Sequence, residues 1–173
     1  MYVYEEQIFF IETEEEYLKY KDLADINILS HLKSNALFKA NHHKSIWLLK
    51  HGININQVDK DGNNALLYTL LYIKQSKRKI KLLIEHDINV NQENNMGKNA
   101  LTICKSLDCA NLILNAGFDL NIFRKDQNRL QNIENDEIRK IVTLRIIEED
   151  RHSISSIISH DKKPIAKSTL RRL

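Results

Sequence analysis

Histidine, cysteine and carboxylate side chains are the groups of this chain that could bind a metal or catalyse a reaction. The 173 residues include seven histidines, two cysteines and 23 acidic residues. Of the histidines only His42 and His43 are adjacent, and adjacent helical residues diverge, so surface positions are predicted for them. Without an export signal, Cys104 and Cys109 are predicted to be reduced, buried thiols rather than a disulfide or half of a zinc site. We therefore expect no metal and no cofactor.

Motifs that would indicate an enzyme or a nucleic-acid-binding protein do not occur in the sequence. It has no glycine-rich phosphate loop, His-Glu-x-x-His pair or nucleophile elbow. The acidic runs at residues 14–16 and 148–150 are more typical of helix-end charge than of a catalytic pair. A net charge of +3 falls short of the clustered basicity that nucleic-acid binding requires. We expect a non-enzymatic protein that makes no direct contact with nucleic acid.

The distribution of apolar residues predicts the compartment. The first residues lack the basic and apolar regions of a secretory signal. Charges interrupt every apolar run well before the roughly 20 residues needed to span a bilayer. The sequence therefore predicts a soluble, cytoplasmic protein that does not contact the membrane.

The four glycines occupy positions of an internal repeat. His51-Gly-Ile-Asn-Ile-Asn recurs as His86-Asp-Ile-Asn-Val-Asn and as Ala116-Gly-Phe-Asp-Leu-Asn. Further along each unit stands an asparagine, and these residues are Asn35, Asn64, Asn99 and Asn128. They are separated by 29, 35 and 29 residues. So few glycines, with a single proline, also argue against a turn-rich β fold.

Each unit has the pattern of two helices. The repeated asparagine is a suitable N-cap for a short first helix. A polar break and a more apolar second helix follow, and Gly52, Asp87 or Gly117 then stands where a left-handed residue ends a helix. The tetrads at residues 59–62 and 94–97 are turn-forming sequences. The 29-residue units must have shortened helices or tighter turns between helices.

These residues resemble the ankyrin repeat, most closely at Asp59-Lys-Asp-Gly-Asn-Asn-Ala-Leu-Leu-Tyr-Thr and Ile80-Lys-Leu-Leu-Ile-Glu-His-Asp-Ile-Asn-Val-Asn. The family's Thr-Pro is replaced by Asn-Ala here. The resemblance implies an all-α solenoid of about five helix-turn-helix units with atypical capping units. The units predicted are an N-terminal cap at 1–29, repeats at 30–58, 59–93 and 94–123, a C-terminal capping repeat at 124–150 and a basic tail at 151–173.

Both ends show capping signals and opposite charge. Thr13-Glu-Glu-Glu predicts the start of the N-terminal cap helix, and Asn135-Asp-Glu predicts the start of a closing amphipathic helix. Residues 1–22 carry a net charge of −5, and residues 151–173 carry +5. The last segment is interpreted as a solvated, partly disordered tail. The alternative, which the helical spacing of Ile154, Ile157 and Ile158 supports, is a final helical turn that packs on the array or on a partner.

A solenoid of this kind binds proteins through a concave face formed by turn tips and first helices. The residues predicted at the tips are Lys60, Asp61, Asn95, Met96 and Lys125. Those predicted on first helices are Lys39, His42, Tyr68, Tyr72 and Ile103. Tyr68 could instead pack between neighbouring units, and Trp47 is expected in the core.

The resemblance implies a protein partner. The leading hypothesis is an immunity protein that neutralises a cognate bacterial toxin domain in a 1:1 complex and is a monomer when free. Twenty-three isoleucines and 18 asparagines fit an AT-rich genome. The alternative hypothesis is a scaffolding or host-directed effector that recruits another protein, with the basic tail as a signal.

Overall fold

The computed structural model describes residues 5–22, 25–73 and 76–161, and within these residues it is all-helical without strands. A 3-10 helix, Glu5–Phe9, comes first. The α-helices are α1 (Glu14–Tyr20), α2 (His42–Lys50), α3 (Ala65–Tyr72), α4 (Lys77–Glu85), α5 (Ala100–Ile103), α6 (Leu107–Asn115), α7 (Asn121–Lys125), α8 (Gln127–Gln131) and α9 (Asp136–Asp161). The predicted fold class, an all-α solenoid, is confirmed.

The helices pack in two rows. In the outer row, α2 contacts α4, α4 contacts α6 and α6 contacts α9, while in the inner row α3 contacts α5. Leu48, Leu83 and Ile113 are the seventh residues of α2, α4 and α6, and all three are completely buried. One continuous hydrophobic core therefore runs along the stack, because each unit buries its apolar face on the next.

Unit length decides the length of the first helix. In the unit that starts 35 residues before the next, Asn64 caps the eight-residue α3, and its Oδ1 accepts from Leu67 N at 3.0 Å. In the shorter unit at Asn99 the capped helix α5 has only four residues. The 29-residue spacing is therefore accommodated by shortened first helices, which is one of the two alternatives that the sequence left open.

Two of the predicted helix starts are wrong. Asn35 begins only a hydrogen-bonded turn over residues 36–39, with Phe38 N donating to Asn35 O at 3.3 Å. In the last unit the cap of α8 is Asp126 rather than Asn128, and its carboxylate accepts from Asn128 N at 3.0 Å. An extra helix, α7, precedes α8, and Asp126 is the single residue between them.

Left-handed residues end all three second helices of the repeats. Gly52, Asp87 and Gly117 have φ values of 82°, 60° and 86°, as the sequence predicted. Lys33 also lies in the left-handed region, at φ 60°, and it stands two residues before Asn35 as Gly62 and Gly97 stand before their asparagines. The first unit therefore keeps the repeat geometry without the glycine.

The described part of the chain is helical at both of its ends. Thr13 caps α1 through Oγ1, which accepts from Glu16 N at 3.2 Å. Helix α9 begins beside Asn135 and continues to Asp161, eleven residues beyond the predicted boundary at 150. Ile154 is 58% exposed and does not pack on the array. The side chains of Ile157 and Ile158, and all of residues 162–173, lie outside the described residues.

Candidate functional site

Backbone hydrogen bonds join the tips of successive units. Lys60 N donates to Leu32 O at 2.9 Å, and Asn95 N donates to Asp61 O at 2.9 Å. The Asn95 side chain also donates from Nδ2 to Lys60 O at 2.9 Å. The predicted tip residues Lys60, Asp61 and Asn95 therefore lie together, and Met96 beside them is 78% exposed.

A second set of hydrogen bonds joins the loops that follow the outer helices. Asn54 N donates to Asn27 Oδ1 at 2.6 Å, and Asn89 N donates to Asn56 Oδ1 at 2.8 Å. Asp119 N donates to Asn91 Oδ1 at 2.7 Å. The side chains of Asn27, Asn56 and Asn91 thus each accept a hydrogen bond from the backbone of the next unit. These hydrogen bonds fix the spacing of the tips, on which a binding surface depends.

The inner helix α3 places two tyrosines beside these tips. The rings of Tyr68 and Tyr72 lie 4.8 Å apart, and Tyr68 also contacts Phe38 of the preceding unit edge-on at 5.5 Å. Tyr68 is half-buried, and burial raises the pKa of its hydroxyl. Tyr72 is 62% exposed. Tyr68 therefore packs between units, as one of its two predicted roles had it, while Tyr72 presents its ring to solvent.

Tyr72 lies beside two surface cavities. One, of about 280 Å³, is formed by the tip residues Asp59, Lys60 and Asp61 together with Leu32 and Tyr68. The other, of about 810 Å³, lies between α3 and α5 and is bordered by Leu71, Lys98, Lys105 and Glu134. Tyr72 lines both cavities, and we call the two together the tyrosine groove.

Four predicted site residues lie elsewhere or are less accessible. Ile103 lines the larger cavity but is only 7% exposed, because α5 turns it into the core. His42 begins the second helix α2 instead of lying on a first helix, since residues 36–39 form only a turn. Lys39 borders a different cavity, and Lys125, exposed at the end of α7, lines neither half of the tyrosine groove.

Two buried lysines are structural features that the sequence analysis missed. The Nζ of Lys79 donates to the carbonyls of Leu37, Phe38 and Ala40 at 2.8, 2.9 and 2.8 Å. Burial lowers the pKa of Lys79 to about 7. At the same third position of its helix, Lys44 donates to Phe9 O at 2.9 Å. The sequence feature that could have indicated these buried lysines is their shared position, since each is the third residue of a second helix with an apolar face.

Other groups behave as core residues. Trp47 is buried, as predicted, and its ring also stacks on Tyr17 at 5.2 Å. Cys104 and Cys109 are buried and are not joined in a disulfide, and burial raises the pKa of Cys104 to about 12. Across the described residues, no three histidine, cysteine or carboxylate side chains are grouped as a metal site would require. The same part of the chain has no helix that is both long and apolar enough to cross a membrane.

Comparison with known families agrees with this architecture. Residues 34–124 match the family model of ankyrin repeats, which comprises three copies. The match covers just over half of the chain, and the chain belongs to the ankyrin-repeat family. None of the curated proteins matches it. Membership of this family indicates a role in binding another protein.

Proposed function

We propose that this protein binds its partner through the tyrosine groove. The observation that carries the proposal is the position of Tyr72, which is 62% exposed and lines both cavities. A rigid aromatic ring flanked by concave surfaces is the arrangement that anchors protein interfaces. The orientation of the Tyr72 ring is stabilised by packing, because Tyr72 contacts Tyr68 and Tyr68 contacts the buried Phe38.

Charges of both signs surround this ring. Lys60 and Asp61 stand at the tip edge, while Lys98, Lys105 and Glu134 border the larger cavity. Such a rim favours a partner with a mixed charged surface around an apolar centre, and it contributes more to association rate and specificity than to affinity.

The finer hypothesis is an immunity-type inhibitor that occupies a toxin domain in a cytoplasmic 1:1 complex. Because the tips and loops are held in register by hydrogen bonds between units, the groove is organised before binding, which lowers the entropy cost of association. Such an inhibitor acts by covering its partner's surface and needs no catalytic group.

The test is coexpression with the product of the adjacent gene. We expect a 1:1 complex by size exclusion with light scattering, and protection of cells that express the toxin domain. Replacing Tyr72 by Ala should weaken the complex by at least about tenfold. Leu144→Ala on α9, which removes a side chain that is also exposed, should leave it unchanged. If Tyr72→Ala leaves the affinity of the complex unchanged, the partner does not bind through the tyrosine groove. If neither a complex nor protection is observed, the immunity role is refuted.

A scaffolding or recruiting role is the second candidate, and the exposed end of α9 favours it. All side chains of residues 151–156 are exposed, so this part of the helix extends beyond the array. Deleting residues 151–173 removes no described core residue. Retained partner binding with lost localisation would favour the recruiting role, whereas retained protection would favour the inhibitor.

A further inference from the structure

A cavity of about 440 Å³ lies under the N-terminal cap, separate from the tyrosine groove. Its apolar wall consists of Phe9 and Phe10 at the end of the 3-10 helix and of Ala36 and Ala40 in the first unit. Phe10 is 78% exposed although it borders the cavity. The volume is in the range of small-ligand sites, about 300–1,000 Å³.

A buried cation, Lys44, also lines this cavity. Lys44 is only 3% exposed, and within the described chain its Nζ makes one hydrogen bond, to Phe9 O at 2.9 Å. Glu12 Oε1 forms an ion pair with this ammonium at 3.7 Å, a distance too long for a hydrogen bond. An ammonium group has three protons to donate. Among the residues that the structure describes, two of the Lys44 protons therefore have no hydrogen-bond acceptor.

The equivalent lysine of the next unit shows the difference. Lys79 occupies the same third position of its helix, and its Nζ donates to three backbone carbonyls. Both side chains are buried to a similar degree. Burial is therefore accompanied by complete hydrogen bonding at Lys79 but not at Lys44, and the cavity beside Lys44 is where further acceptors would fit.

The other charges of this cavity favour an anionic ligand. Lys39 and His31 border it, and the only carboxylate among its described lining residues is Glu12, whose side chain is 65% exposed. Burial lowers the pKa of Lys44, and the attraction of the Glu12 and Glu16 carboxylates opposes this shift.

We infer that this cavity binds the carboxylate of a ligand with a small apolar body, with Lys44 donating to the carboxylate and Phe10 packing on the body. Glu12 competes for the same ammonium and must move aside. The site is independent of the proposed function, because it shares no described lining residue with the tyrosine groove. The carboxylate can belong to a free organic acid or to the last residue of a peptide.

The experiment titrates the full-length protein with defined probes, followed by the backbone amide signals of residues 41–44 in NMR spectra. 3-Phenylpropionate represents a free acid, and N-acetylphenylalanine represents a peptide terminus. Their primary amides have the same body without the charge. We expect at least one acid to bind with a Kd near or below about 1 mM, and its amide to bind at least about tenfold more weakly. The acid that binds more tightly identifies the source of the carboxylate.

Two variants separate the proposal from unspecific binding. Lys44→Met should weaken binding of the acid at least about tenfold. Lys81→Met, at an exposed lysine of α4, should leave the affinity for the acid unchanged. Glu12→Gln should tighten binding of the acid about threefold or more, because it removes the competing charge. Glu15→Gln, at an exposed carboxylate of α1, should leave the affinity for the acid unchanged.

The Glu12 variant keeps the test decisive if Lys44→Met fails to fold, since the Glu12 side chain is exposed and Lys44 stays in place. The inference is overturned if neither acid binds at about 10 mM, if an acid and its amide bind equally, or if Glu12→Gln leaves the affinity unchanged.

Discussion

Lys79 reaches across the boundary between two units to the carbonyl of Phe38, which lies 2.9 Å from its Nζ. The reason is the shortness of the first unit's inner element, a turn over residues 36–39 instead of a helix. A turn ends with carbonyl groups that no later helical amide can satisfy. Lys79 supplies donors to two of them and to the carbonyl of Ala40 directly after the turn, so a side chain of one unit completes the backbone of the unit before it.

The first prediction concerns this contact. Lys79→Met keeps the apolar stem but leaves three buried carbonyls without their donor, so the free energy of unfolding should fall by about 2–4 kcal/mol. Urea denaturation followed by circular dichroism measures the change. Lys81 lies two residues further along α4 and is exposed. Its replacement by Met should change the free energy of unfolding by less than about 0.5 kcal/mol. Equal stability of the two variants would show that the carbonyls do not need Lys79.

The second prediction is a pH dependence with a defined sign. The pKa of Lys79 is about 7 in the folded protein, below its ordinary value of 10.5. Between these two pH values the unfolded chain retains the proton that the folded chain releases. Stability should therefore rise with pH across this window, by at most about 1.4 kcal/mol per pH unit, and the contribution of Lys79 should not vary with pH below about pH 7.

Comparison of variants isolates this contribution from other titrating groups. The difference in unfolding free energy between the unsubstituted protein and Lys79→Met should grow in favour of the unsubstituted protein from about pH 7 to about pH 10. A difference that stays constant with pH would mean that Lys79 keeps its ordinary pKa in the folded state.

The sequence predicts the fold well because the repeat is encoded in residues with local roles. Asn64 and Asn99 cap helices, and Gly52 and Gly117 end them, through interactions within a few residues. The same local rules fail at Asn128, because Asp126 lies two residues earlier and caps the helix instead. A cap is therefore predictable in type but less so in register where two capping residues compete.

The candidate site is less predictable, since it depends on contacts between units. Tyr72 and Ile103 are the last residues of α3 and α5, yet Tyr72 is 62% exposed and Ile103 only 7%. The eight-residue α3 and the four-residue α5 place their last residues differently. Lys79 illustrates the same dependence, because its partners are 39 to 42 positions away in the chain and only the stacking brings them together.

The third prediction tests the asparagine contacts between loops. Asn56→Ala removes the Oδ1 that accepts from Asn89 N at 2.8 Å. The loss should lower the free energy of unfolding by about 0.5–1.5 kcal/mol in urea denaturation. Asn111→Ala, at an exposed position within α6, is a suitable control because alanine is the better helix former there. The control should leave stability unchanged or raise it. If both variants behaved alike, the loop contact would have no measurable role in holding the units together.

The fourth prediction separates backbone conformation from crowding at two equivalent glycines. Gly62 and Gly97 have similar φ values of 79° and 69°. Alanine should therefore be strained at both positions, by about 1–2 kcal/mol. Around Gly97 a Cβ would meet no atom within 4 Å. At Gly62 it would lie 2.6 Å from Asn95 Oδ1 and 3.0 Å from Asn95 N.

Gly62→Ala should therefore be less stable than Gly97→Ala by at least about 1 kcal/mol in paired denaturation experiments, because the neighbouring tip must shift. Removing the Asn95 side chain in the Gly62→Ala background should recover only part of this difference, since the Asn95 backbone nitrogen still opposes the new Cβ. The shift also displaces the hydrogen bond from Asn95 to Lys60 O at the edge of the tyrosine groove. Equal losses at the two glycines would mean that left-handed strain alone sets the cost and that the tips are not closely packed.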